Sequence, residues 1–248
     1  GSQLLLIMPW RGMFLLLAAY GAVAMLAAAF LIVETLPPAR RVDLGHATTR
    51  QRYGALFADR VFVGVAIIAG MAFSGLFAYL SSSSFLFQDV YGLDAQQYGL
   101  LFAANSIGVV GGVQASAFLA RFIGPQWILA GALSAMLAAA GAIILLDSAG
   151  AGLIGVVVPL WFFIFAAGFT FPCTQVLALA GHGSEAGTAA SVLGAVNFGL
   201  AGLISPIVGL FGITNAIQMG GVMACTAAVS LVVLWTVVRP RTVPALAR

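Results

Sequence analysis

Polar and apolar positions along this chain segregate into long blocks. Charge-free apolar runs extend from about Gly12 to Val33, Val61 to Gln88, Ala95 to Ala120 and Phe122 to Leu146, then from Ser148 to Ser184 and Ala186 to Val238. A helix rises about 1.5 Å per residue, so about 20 apolar residues cross the hydrocarbon core of a bilayer. Each of the first four runs predicts one spanning helix. The fifth opens with a short turn, Ser148 to Gly152, before one long helix. Turn residues near Gly209, Gly212 and Asn215 divide the sixth into two helices. The pattern predicts an all-α fold, a polytopic membrane bundle of seven transmembrane helices.

The segment from Glu34 to Arg60 is the one sizeable polar stretch. Thr35-Leu36-Pro37-Pro38 stops the first helix, since proline cannot continue it. A short surface helix is expected around Gln51 to Phe57. Three segments follow: residues 1–34 with the first span, a linker over 35–60, and a six-helix bundle with a short tail over 61–248. The six helices read as two sets of three, the arrangement of inverted-repeat transporters. Gly1-Ser2-Gln3-Leu4-Leu5-Leu6 reads as the tail of a preceding helix, so the chain is expected to begin in mid-protein.

Composition agrees with a membrane bundle. The hydrophobic fraction is 62% and the charged fraction 7%, with a mean hydropathy of +1.11, which excludes a water-soluble globular domain. All ten cationic side chains are arginine. Nine of them (Arg40, Arg41, Arg50, Arg52, Arg60, Arg121, Arg239, Arg241 and Arg248) fall on one side of the alternating crossings, and Arg11 alone on the other. The positive-inside rule makes the arginine-rich side cytoplasmic, with the linker and the C-terminus on it. This placement accounts for the basic pI near 9.2 without nucleic acid.

Much chemistry is missing. A retinal Schiff base and a phosphate-binding loop both need lysine, and the chain has none. His-Glu-x-x-His is absent. Two cysteines and two histidines offer no metal-ligand spacing, so no catalytic residue, metal or cofactor is assigned and the chain is not read as an enzyme. Cys173 and Cys225 are expected to be buried core residues. His182, in Gly181-His182-Gly183-Ser184, is expected to be a solvated loop residue. Proton coupling normally needs an ionisable group near the bilayer midplane. All seven acids lie at helix ends or in loops.

What remains is uncharged. Phe73, Ser74, Phe77 and Ser81 share one helix face. Asn105 and Gln114 lie in the third span, Thr170, Thr174 and Gln175 in the fifth, and Asn197 in the sixth. Such groups either bond a neighbouring helix or line a cavity. Phe73, Phe77, Ser81, Asn105, Phe165, Phe169 and Asn197 are the substrate-cavity candidates. An apolar lining with few polar groups suits bulky amphipathic ligands better than ions or sugars. Small residues form stripes at Gly108, Gly112 and Ser116, and at Gly187, Ser191, Gly194, Asn197/Phe198, Ala201 and Ser205. Plain packing in the bundle is the expected role of both. Pro172 and Pro206 are internal prolines that favour kinks.

Several segments carry a family resemblance. Trp10-Arg11 precedes a helix that ends in Glu34-Thr35-Leu36-Pro37-Pro38-Ala39-Arg40-Arg41. Phe77-Ala78-Tyr79-Leu80 is followed by Phe85, Gln88 and Tyr91-Gly92-Leu93, and then by Tyr98-Gly99-Leu100-Leu101-Phe102-Ala103-Ala104-Asn105. Gly187-Thr188-Ala189-Ala190-Ser191-Val192-Leu193-Gly194 opens the sixth span. In this order they resemble the bicyclomycin-resistance (Bcr/CflA) branch of the drug:proton antiporters in the major facilitator superfamily.

The resemblance implies that residues 1–34 are the end of helix 5 and helix 6 of a twelve-helix transporter, and that the last six spans are helices 7 to 12. The family's cavity-flanking helices then map to those bearing Phe73/Phe77, Asn105, Phe165/Phe169 and Asn197. It further implies export of drugs or small amphipathic metabolites across the bacterial inner membrane, by alternating access and against inward proton flow, with the coupling acid in the other half. Another small solute on the same fold, or a non-transporting membrane scaffold, are the competing readings.

Overall fold

The computed structural model describes residues 9–31, 49–210 and 214–242. Its helices are α1 (Trp10–Leu31), α2 (Thr49–Ala58), α3 (Arg60–Phe85), α4 (Ala95–Leu119), α5 (Pro125–Ser148), α6 (Gly152–Leu179), α7 (Ala186–Leu210) and α8 (Ile217–Val233). π-helical turns continue α3 over Leu86–Val90 and α8 over Leu234–Val238. All but α2 are long and apolar enough to cross a membrane. Local chemistry sets the starts. Asp59 caps α3 by accepting from the Val61 N–H at 2.8 Å. Asp94 and Gln97 form a reciprocal capping box on α4, at 2.8 and 3.1 Å. Pro125 occupies the first turn of α5, where its missing N–H costs nothing.

α3 and α6 form the centre. α3 packs against α6, α7 and α8, while α6 packs against α3, α4 and α5, and α5 meets α8. Exchanging the set α3–α4–α5 with α6–α7–α8 leaves this pairing unchanged. Three crossings per set invert the second set relative to the first, which gives the inverted-repeat architecture physical form. Phe62, Ile68, Tyr79, Leu160 and Phe163 are among the fully buried side chains of the two central helices. Where α3, α6 and α8 meet, a Cβ on Gly75 would stand 2.6 Å from Thr226 Oγ1 and 3.1 Å from Phe163 Cζ.

The outer helices bury narrow stripes. On α4 the buried residues are Asn105, Gly108, Gly112 and Ser116, one side of the helix. Gly112 and Gly168 bring the α4 and α6 backbones together. A Cβ on Gly112 would collide with the Phe165 carbonyl oxygen, and one on Gly168 would lie 2.5 Å from that of Val109. Of the α7 stripe only Ala201 takes up the expected packing role in full. The buried α7 residues are Ala189, Val192, Leu193, Ala201 and Val208, and a Cβ added to Gly187 or Gly194 would meet nothing within 4 Å. The fit of α3 to α7 is reversed instead. Gly70 on α3 makes room for Val196 and Leu200 of α7, whose atoms a Cβ there would meet at 3.0 and 2.7 Å. No residue of α1 is buried.

Side-chain ties close the two ends. Asp147, at the end of α5, accepts from the Tyr91 hydroxyl at 2.6 Å and the Ala216 N–H at 2.9 Å. One carboxylate thus joins the turn after α3, the end of α5 and the start of α8. Burial raises the Tyr91 hydroxyl pKa above its ordinary value, and Asp147 raises it further. At the other end His182 corrects the expectation of a solvated loop residue. Its side chain is 14% exposed and lies 3.6 Å from the Asp59 carboxylate. The ring packs edge-on to Phe62 at 5.4 Å. Cys173 is buried but Cys225 is exposed, against expectation. It sits beside Ile204 and Ile207 in a groove at the α7–α8 surface, where an apolar thiol needs no core.

Thermal unfolding in detergent micelles tests these contacts. Gly112→Ala forces α4 from α6 and costs about 1–3 kcal/mol, the range for overpacking, whereas Gly194→Ala leaves the melting temperature unchanged. Asp147→Ala removes two charge-assisted bonds of about 1.5–3 kcal/mol each before relaxation, while Asp89→Ala, at an exposed site, has little effect. Because the Tyr91 pKa is raised on folding, its contribution is complete below the free value of about 10 and falls as pH rises above it.

Candidate functional site

Four phenylalanines from three helices meet at the junction of α3, α6 and α7. Phe73 and Phe77 lie one turn apart on α3, ring centroids 5.6 Å apart. Phe171 of α6 stands edge-on to Phe73 at 6.3 Å, and Phe198 of α7 at 5.2 Å. Edge-to-face geometry sets the positive rim of one ring against the negative face of another. Phe73, Phe77 and Phe171 are half-buried, while Phe198 is 66% exposed. The cluster therefore presents aromatic surface outward. Beside it on α7, Asn197 has its Oδ1 shielded and without a hydrogen-bond partner. Nearby hydroxyls are self-satisfied. Ser74 donates to the Gly70 carbonyl at 2.7 Å, Thr170 to that of Ala167 at 2.7 Å, and Thr174 to that of Thr170 at 2.8 Å.

The other candidates stand elsewhere. Asn105 is buried in the α3–α4 seam, where its amide donates to the Tyr79 hydroxyl at 2.9 Å. Ser81 is exposed toward the far end of α3 and donates to the Ala78 carbonyl at 3.2 Å. Phe165 and Phe169 face the α4–α5 side of α6. Phe165 stacks on Trp161 at 5.4 Å and 12°, and meets Phe169 edge-on at 5.3 Å. Trp161 in turn donates to the Ala104 carbonyl at 3.1 Å. Phe169 and Phe171 are two residues, hence about 200°, apart around α6. The structure thus brings together Phe73 and Phe77, with Ser81 one turn further along the same face of α3, while Asn105, Phe165 and Phe169 meet other neighbours and Asn197 precedes Phe198 on α7.

Phe171 and Phe198 complete the cluster and were not singled out as its members from sequence. Phe198 enters the sequence reading only as part of the small-residue stripe, and nothing in the sequence distinguishes Phe171 from the other phenylalanines of α6. Among the described residues, no group of three or more His, Cys, Asp and Glu side chains could hold a metal ion. The arrangement offers aromatic faces, one amide and no charge. It can bind an apolar or amphipathic molecule by ring contact, and has no group placed for acid–base or nucleophilic chemistry.

Comparison with known proteins follows the same direction. The Major Facilitator Superfamily model matches residues 1–206. An uncharacterized MFS-type transporter, YdgK of Bacillus subtilis, is 29% identical over 236 residues, covering 94% of this chain and 58% of that protein. A bicyclomycin resistance protein homolog of Haemophilus influenzae is 23% identical over 234 residues, covering 93% of this chain and 58% of that one. The chain therefore spans somewhat over half the length of these relatives.

The two asparagines are expected to behave oppositely. In a double-mutant cycle measured by unfolding in micelles, Asn105→Ala and Tyr79→Phe couple by about 0.6 kcal/mol, a typical interhelical bond in a membrane protein. Asn197→Ala removes a shielded oxygen that has no partner, so it loses no such bond and does not lower stability.

Proposed function

We propose, since the chain belongs to the major facilitator superfamily of membrane transporters, that it serves the export of drugs or small amphipathic metabolites by alternating access. Membership makes it part of a multi-pass membrane transporter and not an enzyme. On our reading, α1 is helix 6 of a twelve-helix protein and α3–α8 are helices 7 to 12, with residues 35–60 as the linker between halves. The unburied surface of α1 and the 58% coverage of both relatives support this assignment.

The observation that carries the substrate class is the uncharged aromatic cluster of Phe73, Phe77, Phe171 and Phe198. Rings in edge-to-face contact offer π-faces to flat or cationic apolar molecules. They offer few hydrogen bonds to a sugar. The relative named for bicyclomycin resistance supports a drug-like substrate. Phe165 and Phe169 take no part in this surface on our reading, and Asn197 is the amide next to Phe198 on α7, its Oδ1 shielded. Rocking of two halves about such a site would expose it to each side in turn.

Antiport against protons needs an acid near the midplane. Among the described residues Asp59, Asp89, Asp94, Asp147 and Glu185 all lie at helix ends or in turns. We place the coupling group in the other half. The arginine-rich end, with the linker and C-terminus, is assigned to the cytoplasm of a bacterial inner membrane.

The test is efflux of a fluorescent aromatic cation, ethidium, from cells expressing the intact gene. Phe73→Ala and Phe198→Ala each remove an aromatic contact of about 0.5–1.5 kcal/mol, and are expected to raise the apparent KM roughly three- to tenfold. Efflux unaffected by either substitution, in proteins of normal abundance, contradicts the proposal.

A further inference from the structure

We propose that the arginine-rich end of the bundle holds one anionic phospholipid, with an acyl chain in the α4–α5–α6 groove and its phosphate among Arg121, Arg239 and Arg241. This site lies away from the Phe73 cluster and does not depend on the substrate reading above.

The groove has a volume of about 390 Å³ and is lined by apolar residues, among them Leu119, Ile123, Trp127, Phe162 and Phe165. It offers water almost no hydrogen-bonding partners, so hydrocarbon is its natural filling. That alone would suit any lipid tail. The charge at its mouth selects among lipids.

Trp127, at the first turn of α5, meets Trp235 of the α8 extension edge-on with ring centroids 6.3 Å apart. The two rings are 42% and 48% exposed. Tryptophan favours the depth of lipid headgroups, where its apolar body and N–H are both accommodated. Beyond Trp235 lies a second concavity of about 410 Å³, lined by Trp235, Arg239, Pro240, Arg241 and Thr242. The aromatic pair thus stands between a greasy groove and a basic hollow.

The chain is bent to form that hollow. Arg239 has φ +54°, a left-handed conformation that costs a non-glycine residue energy. It is held by the Arg239 N–H donating to the Leu234 carbonyl at 2.8 Å and by its own Nε donating to that of Thr236 at 3.1 Å. The Thr242 N–H closes the turn on the Arg239 carbonyl at 2.8 Å. Arg121 is exposed in the turn between α4 and α5, two residues along the chain from both Leu119 and Ile123 of the groove lining. Among the described residues no carboxylate forms an ion pair with any of these three arginines. Among the described residues the acids at this end are Asp59 and Glu185, and Asp59 caps α3 and faces His182. Guanidinium groups match phosphate in bidentate geometry and lose hydration readily. Basic pockets between membrane helices recognise anionic headgroups on this physical basis.

The test is native mass spectrometry of the full chain released from nanodiscs of equal phosphatidylglycerol and phosphatidylcholine. Each arginine contributes roughly fivefold in affinity near a membrane surface, so preferential retention of phosphatidylglycerol on the order of a hundredfold is expected. Replacing Arg121, Arg239 and Arg241 together by Gln should abolish the preference, and replacing them by Lys should keep most of it. Trp127→Ala should lower retention of both lipids, and Arg11→Gln, at the other end, should change nothing. Equal retention of the two lipids by the unmodified chain overturns the proposal. So does a preference that survives the triple Gln replacement, or displacement of lipid by millimolar inorganic phosphate, which would mark a site for a free anion.

Discussion

An unpaired polar group is costly in hydrocarbon, and the bundle is organised by that cost, with Asn197 Oδ1 and Gln218 Oε1 the shielded side-chain oxygens left without a partner among the described residues. Backbone bonds must close within each helix, and polar side chains must find a partner or fold back. Ser74, Ser82, Thr170, Thr174 and Ser230 each donate to a carbonyl three or four residues earlier in their own helix. Once they do so, the helices approach one another as nearly smooth cylinders. The driving force between them is then close packing, since lipid tails are as apolar as the side chains. Gly112 against Gly168 is the closest expression of this, with backbone meeting backbone across α4 and α6.

The same constraint explains where surface is left uncovered. α3 is the most enclosed helix and α6 buries one broad face, while α4 and α7 bury only one stripe each. The Phe73 cluster opens at the α3–α6–α7 junction, and α1 exposes its whole length. An uncharged aromatic surface between inverted three-helix sets is the kind of place where a transporter can hold an apolar substrate weakly enough to release it. Charge is confined to the ends, where it caps helices, ties turns through Asp147, and, at the arginine-rich end, meets the headgroup layer.

The spans are legible in the sequence because charges cannot cross the bilayer core, which marks most breaks, while turn residues mark the breaks near residues 149–151 and before Ile217. The α4 stripe was legible too, since Gly108, Gly112 and Ser116 recur at helical spacing among larger residues. The faces of α6 were not. That helix is apolar all round, so periodicity could not tell Phe171, which meets Phe73, from Phe165 and Phe169, which look the opposite way. Nor could sequence separate Asn105, tied to Tyr79, from Asn197 with its unpartnered oxygen, because both are single amides in apolar runs. His182 was misjudged for a related reason. Its contacts with Asp59 and Phe62 join residues more than a hundred positions apart, and no local pattern announces them.

On the proposed function, the surface bearing Phe198 faces a water-filled substrate cavity and not lipid. The most direct measurement is labelling of Phe198→Cys by a water-soluble maleimide in native membrane vesicles carrying the intact gene product, in a Cys225→Ser background. The account predicts ready labelling that ethidium slows in a saturable way. A thiol there that stays unlabelled from both sides of the membrane, or labels at a rate indifferent to ethidium, would contradict it.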